Sequence, residues 1–250
     1  MASARQITDG PVIDGPARVR CFTTPKSGYT RQECEDAIGI NKPTQRFAIA
    51  DGATEAFDSG RWARQLAENW VQQSELLAPG DFWSWLGQEG AHFAVAWSEL
   101  QLSWYSEEKA RAGSFAAFVG IELDLTVARW NGIALGDSCF FHFRDGELLA
   151  TLPAMTESSF TSTPVLAPSF TALQPNALKE VVTGSGELVV HDMLMLCSDA
   201  LAAWTMVHKQ DVPSELFFVT DDEKIAAFCN NERTAGRLKD DDVSFIVIEV

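Results

Sequence analysis

Basic residues are scarce in this chain, and the scarcity excludes whole classes of partner. Lys and Arg number 19 against 35 Asp and Glu, a formal net charge of −16 over 250 residues. A surface so acidic repels nucleic acid backbones and anionic membrane surfaces alike. Paired cysteines are also lacking. The five present, Cys21, Cys34, Cys139, Cys197 and Cys229, are odd in number, have no metal-site spacing and fall mostly in apolar runs. That pattern predicts buried free thiols in a reducing compartment. His92, His142, His191 and His208 stand apart from one another without the i, i+4 spacing of a zinc site. No apolar run approaches the ~18 residues of a membrane span, and MASARQITDGPVIDG has no secretion-signal core. A cytoplasmic protein is expected.

A hydrophobic content of 46% is ample for one large core, so residues 1–250 are expected to form a single domain. Residues 1–20 read as a loose N-terminal lead-in, with an edge strand around Val19–Phe22. The most informative stretch is Arg31–Glu55. There Arg31, Glu35 and Asp36 precede a short apolar run, Phe47–Ala50, that ends abruptly in Asp51-Gly52. An apolar run bounded by turn residues reads as a buried strand. The same grammar recurs at Gly136-Asp137, at Ser198-Asp199 and at Asp241-Asp242, which opens the strand Ser244–Val250. Gathered carboxylates repel unless something positive joins them. With few Lys or Arg close in sequence, hard oxygen ligands of this kind call for Mg²⁺ or Mn²⁺.

Between these acids the periodicity predicts a helix over Asp58–Leu77, N-capped by Asp58 or Ser59. A second is predicted from Asp81 to about Arg111, broken at Gly87 or Gly90. Six of the eight tryptophans lie in these two segments and are expected to be core. Residues 116–150 read as an antiparallel meander with turns at Asn131-Gly132 and Asp145-Gly146. Residues 153–175, dense in Ser, Thr and Pro, read as a surface segment or lid. Thr183-Gly-Ser-Gly-Glu187 suggests a further hairpin. Helices are expected over Ala200–Met206, Pro213–Val219 and Asp222–Arg237. This order indicates an α+β protein with helices outside antiparallel sheets.

Six blocks then carry a resemblance: RQECED (31–36), AIADGA (48–53), GSFAAF (113–118), LGDSCFF (135–141), LMLCSDAL (194–201) and DDVSFIVI (241–248). In order and spacing they resemble the protein phosphatase 2C family of metal-dependent serine/threonine phosphatases, from residue 31 to the last. The resemblance implies a four-layer α-β-β-α sandwich of two antiparallel sheets, with a binuclear Mg²⁺/Mn²⁺ centre at one end. It implies that Asp51 bridges two metals, that the Gly52 carbonyl joins them, and that Asp199 and Asp241 complete one ion's ligands. Asp36 and Glu35 would hold the other ion, partly through water, and Asp137 falls where some members bind a third. Arg31 would take the substrate phosphate, whose oxygens suit a guanidinium fork. The implied reaction is hydrolysis of phosphoserine or phosphothreonine by metal-activated water. The implied partners are a phosphorylated protein and a Ser/Thr kinase, not nucleic acid or a membrane. Four positions depart from the family pattern: Ala53 replaces a histidine proposed as general acid in eukaryotic members, Phe115 and Cys139 alter their blocks, and Ala200 replaces a glycine. An alternative reading of these departures is a silent relative that binds a phosphoprotein or kinase without turnover.

Overall fold

A computed structural model describes residues 17–75, 77–98, 104–156, 159–160, 163–212, 216–217, 219 and 221–250. Among the described residues, eleven strands form two antiparallel sheets. The first has the order β1 (Arg18–Thr24), β11 (Val243–Glu249), β10 (Met193–Cys197), β6 (Cys139–Arg144), β7 (Glu147–Leu152). In the second, β2 (Asp36–Asn41), β3 (Arg46–Gly52), β4 (Phe115–Asp124), β5 (Arg129–Leu135) and β9 (Val182–Glu187) follow one another, and the short β8 (Ala167–Pro168) pairs with β4.

Alternation of side chains gives each sheet two apolar faces, and each face is covered. Phe47, Ile49, Val119, Ile121 and Trp130 of the second sheet meet Phe140, Leu194, Leu196, Ile246 and Ile248 of the first in a central core. On the outside of the second sheet, α1 (Ser59–Trp70) and α2 (Pro79–Ser98) bury Trp62, Leu66, Trp70, Phe82 and Phe93. On the outside of the first, α4 (Asp199–Val207) and α5 (Asp222–Thr234) bury Leu201, Trp204, Ile225 and Cys229. The result is the expected four-layer sandwich. A further helix, α3 (Trp104–Ala112), follows α2. The expected burial of tryptophan holds for Trp62, Trp70 and Trp85, whereas Trp104 is exposed.

Several local expectations are corrected. The helix predicted to run to Leu77 ends at Trp70. Neither Gly87 nor Gly90 breaks α2; Gly90 instead lets the Ser169 carbonyl lie where a Cβ would sit. Asn131-Gly132 lies inside β5, and the turn falls at residues 125–128. There the Asp124 carboxylate accepts from the Thr126 and Val127 amides and from the Thr126 hydroxyl, closing the chain without glycine. Asp145-Gly146 does turn β6 into β7, both residues at positive φ. The meander is therefore two hairpins in two different sheets, the chain crossing between them at residues 136–138. Thr183–Glu187 is one strand, not a hairpin: the Trp130 indole lies against Gly184 and Gly186, and a side chain at Gly186 would collide with it. Of the segment 153–175, Ala167, Pro168 and Ser169 are buried, and the Trp62 indole N–H donates to the Ala167 carbonyl at 3.0 Å. Its second half is thus built into the α1–α2 layer. Residues 1–16 and most of the helix predicted over 213–219 lie outside the described residues.

Candidate metal centre

The strand ends bring the sequence-predicted acids to one end of the sandwich. Asp36 opens β2 and Asp51 nearly closes β3; they face each other directly across the antiparallel pair. Like charges directly opposite destabilise a sheet, so this register is unfavourable on its own. Asp137 follows β5, Asp199 follows β10, and Asp241 precedes β11. All converge electrostatically: burial, then Asp36, Asp199, Asp137 and Asp241, push the Asp51 carboxyl far above its ordinary range. Burial likewise raises Asp36 to about 7, with Asp242 and Asp199 adding to it while the Ser198 hydroxyl opposes. Asp137 rises to about 6, through burial and then Asp199.

Buried hydrogen bonds fix the cluster's floor. The Ser198 hydroxyl donates to Asp36 Oδ2 at 2.8 Å and accepts from the Ser244 amide at 3.0 Å. Asp36 Oδ1 is buried with no hydrogen-bond partner. The buried Asp242 accepts from the Lys26 and Glu35 amides, both at 2.8 Å, and so ties the approach to β2 against the start of β11. Glu35 accepts from the Ser59 hydroxyl at 2.5 Å and lies 3.6 Å from Lys26 Nζ. The Gly52 amide donates to the Glu35 carbonyl at 3.2 Å, which places Gly52 beside the same loop. Arg31 sits on an exposed 3₁₀ turn, Arg31–Glu33, whose Thr30 amide and hydroxyl both donate to Glu33. Among the described residues it forms no hydrogen bond or ion pair with the acids.

Sequence reasoning missed two lysines. The cluster is not without local cations: Lys239 Nζ lies 2.9 Å from Asp199 Oδ2 and 2.7 Å from Asp241 Oδ2, while Lys26 serves Glu35. Lys239 stands next to three consecutive aspartates, a context that reads as an ordinary solvated charge run. The contacts of Asp242, Ser198 and Ser59 were missed because their partners lie 207, 162 and 24 residues away along the chain.

As the side chains stand, no three His, Cys, Asp or Glu among the described residues already form a closed metal-holding set. The donor chemistry nevertheless fits a hard divalent cation. The groups are carboxylates, one buried oxygen is unsatisfied, and the mutual repulsion at Asp51 and Asp36 is what a cation would relieve.

Two packed antiparallel sheets with helices on both outsides make up a fold shared with solved serine/threonine phosphatases. Among solved structures the chain is similar to the photosystem II phosphatase PBCP, with a TM-score of 0.65, 16% identity, and 94% of this chain and 98% of that one covered. It is also similar to the Mycobacterium tuberculosis serine/threonine phosphatase PstP/Ppp, with a TM-score of 0.63 and 18% identity over 94% and 99% of the two chains. The catalytic domain of PstP in complex with 2 manganese ions gives a TM-score of 0.61 at 16% identity over 94% and 98%. No family profile and no curated protein sequence matches the chain. At these identities the likeness establishes the fold.

Proposed function

We propose that this chain is a metal-dependent phosphoprotein phosphatase acting on phosphoserine and phosphothreonine. The observation that carries the reading is the convergence of Asp36, Asp51, Asp137, Asp199 and Asp241, from five separate strand ends, around a buried and unsatisfied Asp36 oxygen. A fold shared with solved serine/threonine phosphatases, one of them holding two manganese ions, supports it.

On this reading Asp36, Asp51, the Gly52 carbonyl, Asp199 and Asp241 would hold two Mg²⁺ or Mn²⁺ ions, with Glu35 in support, and Asp137 would serve a third. When bound, such ions supply Lewis acidity toward water and phosphoryl oxygens and offset the charge of the transferring phosphoryl group. The chain's own residues do the positioning. Ser198, itself held by the β11 backbone, fixes one oxygen of Asp36. Asp242 clamps the loop that carries Glu35. Arg31, on its exposed turn, offers a guanidinium fork to a phosphate arriving from solvent. The substrate is a phosphorylated protein made by a Ser/Thr kinase in the cytoplasm, in keeping with a net charge of −16 that disfavours nucleic acid and with the finding that no described helix is long and apolar enough to cross a membrane.

Hydrolysis of a phosphothreonine peptide with Mn²⁺, measured by phosphate release, tests the reading. EDTA is expected to abolish it. Asp199→Asn and Asp241→Asn are each expected to lower the rate by about 10³-fold without loss of the circular-dichroism spectrum. Arg31→Ala is expected chiefly to raise KM. Turnover undiminished in Asp199→Asn refutes the assigned centre.

A further inference from the structure

We propose that the Lys239 ammonium is a resident counter-cation for Asp199 and Asp241, so that a divalent ion enters this half of the centre only by exchange with it. The inference rests on the metal-centre reading above and concerns a residue that the reading does not use.

The two halves of the cluster are neutralised differently. Asp199 and Asp241 are joined by a single ammonium, at 2.9 and 2.7 Å. These are the two carboxylates expected to share one ion, and the ammonium now takes an oxygen from each. On the other side, among the described residues, Asp36 and Asp51 have no salt-bridge partner and Asp36 Oδ1 has no hydrogen-bond donor. An ion that enters there displaces nothing and relieves the repulsion directly. An ion that enters between Asp199 and Asp241 must first break two charge-assisted hydrogen bonds.

Lys239 is placed for such an exchange. It lies in the connection between α5 and β11, two residues before Asp241, and its side chain is 59% exposed. On release the ammonium returns to water without a buried penalty, and no element has to move. The backbone beneath it is held independently: the Asp241 amide donates to the Lys239 carbonyl at 3.0 Å, and Arg233 donates to the Asp241 carbonyl at 2.7 Å. The carboxylates therefore stay in register while the cation changes. The absence of a closed ligand set among the described residues is consistent with this arrangement, because two of the expected donors already face an ammonium. Binding is then stepwise, first at Asp36 and Asp51 and more weakly at Asp199 and Asp241, and the chain stays folded at low metal concentration.

Isothermal titration of Mn²⁺ into metal-stripped wild-type, Lys239→Gln and Lys239→Arg proteins tests this. The wild type is expected to bind in two steps. Lys239→Gln is expected to tighten the second step about fivefold, as for removal of a competing, partly exposed ion pair, with the first step unchanged within about twofold. Lys239→Arg, which keeps the charge, is expected to resemble the wild type. A second step in folded Lys239→Gln that is as weak as in the wild type, or weaker, overturns the exchange. Absence of Mn²⁺ binding in all three overturns the metal-centre reading and the inference with it. Should Lys239→Gln fail to fold, the wild type still decides: on Mg²⁺ titration of ¹³Cε-lysine-labelled protein, the Lys239 resonance is expected to shift with the second step, and a resonance static to saturation overturns the proposal.

Discussion

Strand β10 carries an aspartate at each end, and the two meet opposite fates. Asp192, just before the strand, is 1% exposed yet fully served. Arg144 approaches it in a two-pronged pair, at 2.8 Å from both Nε and Nη2, the Val189 amide donates at 2.8 Å, and His142 Nε2 lies 2.8 Å away. Burial raises its carboxyl, but the bonds from Arg144, Val189 and His142 outweigh burial and hold it below the ordinary carboxylate range. Seven residues on, Asp199 enters a group of acids in which burial and mutual repulsion push Asp36, Asp51 and Asp137 upward. One end is finished by the chain itself. The other has more negative charge than its two lysines cover, and an end left incomplete in this way is where an external cation gains most.

The contrast can be broken most forcefully at the finished end. Asp192→Ala leaves Arg144 and His142 facing a void, and is expected to lower the unfolding free energy by about 3 kcal/mol, as when one partner of a buried ion pair is removed; urea denaturation measures it. At the unfinished end the sign reverses. Asp51→Asn removes one of several repelling charges and is expected to stabilise the EDTA-treated protein by about 1 kcal/mol at pH 8, seen as a higher melting temperature, while abolishing phosphatase turnover. That gain has a defined pH dependence. Asp36, raised to about 7, and Asp51, raised well above its unfolded value, make the metal-free wild type lose stability as pH rises from about 4 upward. The advantage of Asp51→Asn is therefore expected to shrink toward pH 4, and melting curves of both proteins across that range check it.

The smallest expected effect lies at His142. The Trp130 indole N–H donates to its Nδ1 at 3.2 Å, which leaves Nε2 to donate to Asp192. Burial lowers its pKa, only partly offset by Asp192. A lowered folded pKa gives stability that is present above the unfolded value of about 6.5 and lost as pH falls below it. With Mg²⁺ added to saturate the proposed centre, the wild type is expected to lose a fraction of a kcal/mol between pH 7 and pH 5.5 that His142→Phe does not lose.

The strand-end acids were legible because a buried apolar run that stops at Asp leaves the carboxylate at the rim of a sheet whatever the topology. Asp51, Asp199 and Asp241 were all read this way, as were the layered fold, from its order of elements, and the turn at Asp145-Gly146. Reading failed where a local signal was overruled by a distant side chain. Asn131-Gly132 looks like a turn but sits in β5, because the Asp124 side chain already closes the chain at residues 125–128. Gly184 and Gly186 look like a loop but give room to Trp130.

The sequence by itself determined that hard carboxylates stand at strand ends, that acids outnumber bases, and that alternating apolar runs require two covered sheets, since each of these follows from residue type and short-range spacing. Only the tertiary structure decided which charges share a space. It set Lys239 between Asp199 and Asp241, Ser198 beneath Asp36, and Arg144 against Asp192. Electrostatic energy depends on separation in space and on burial, and both are settled when distant segments pack.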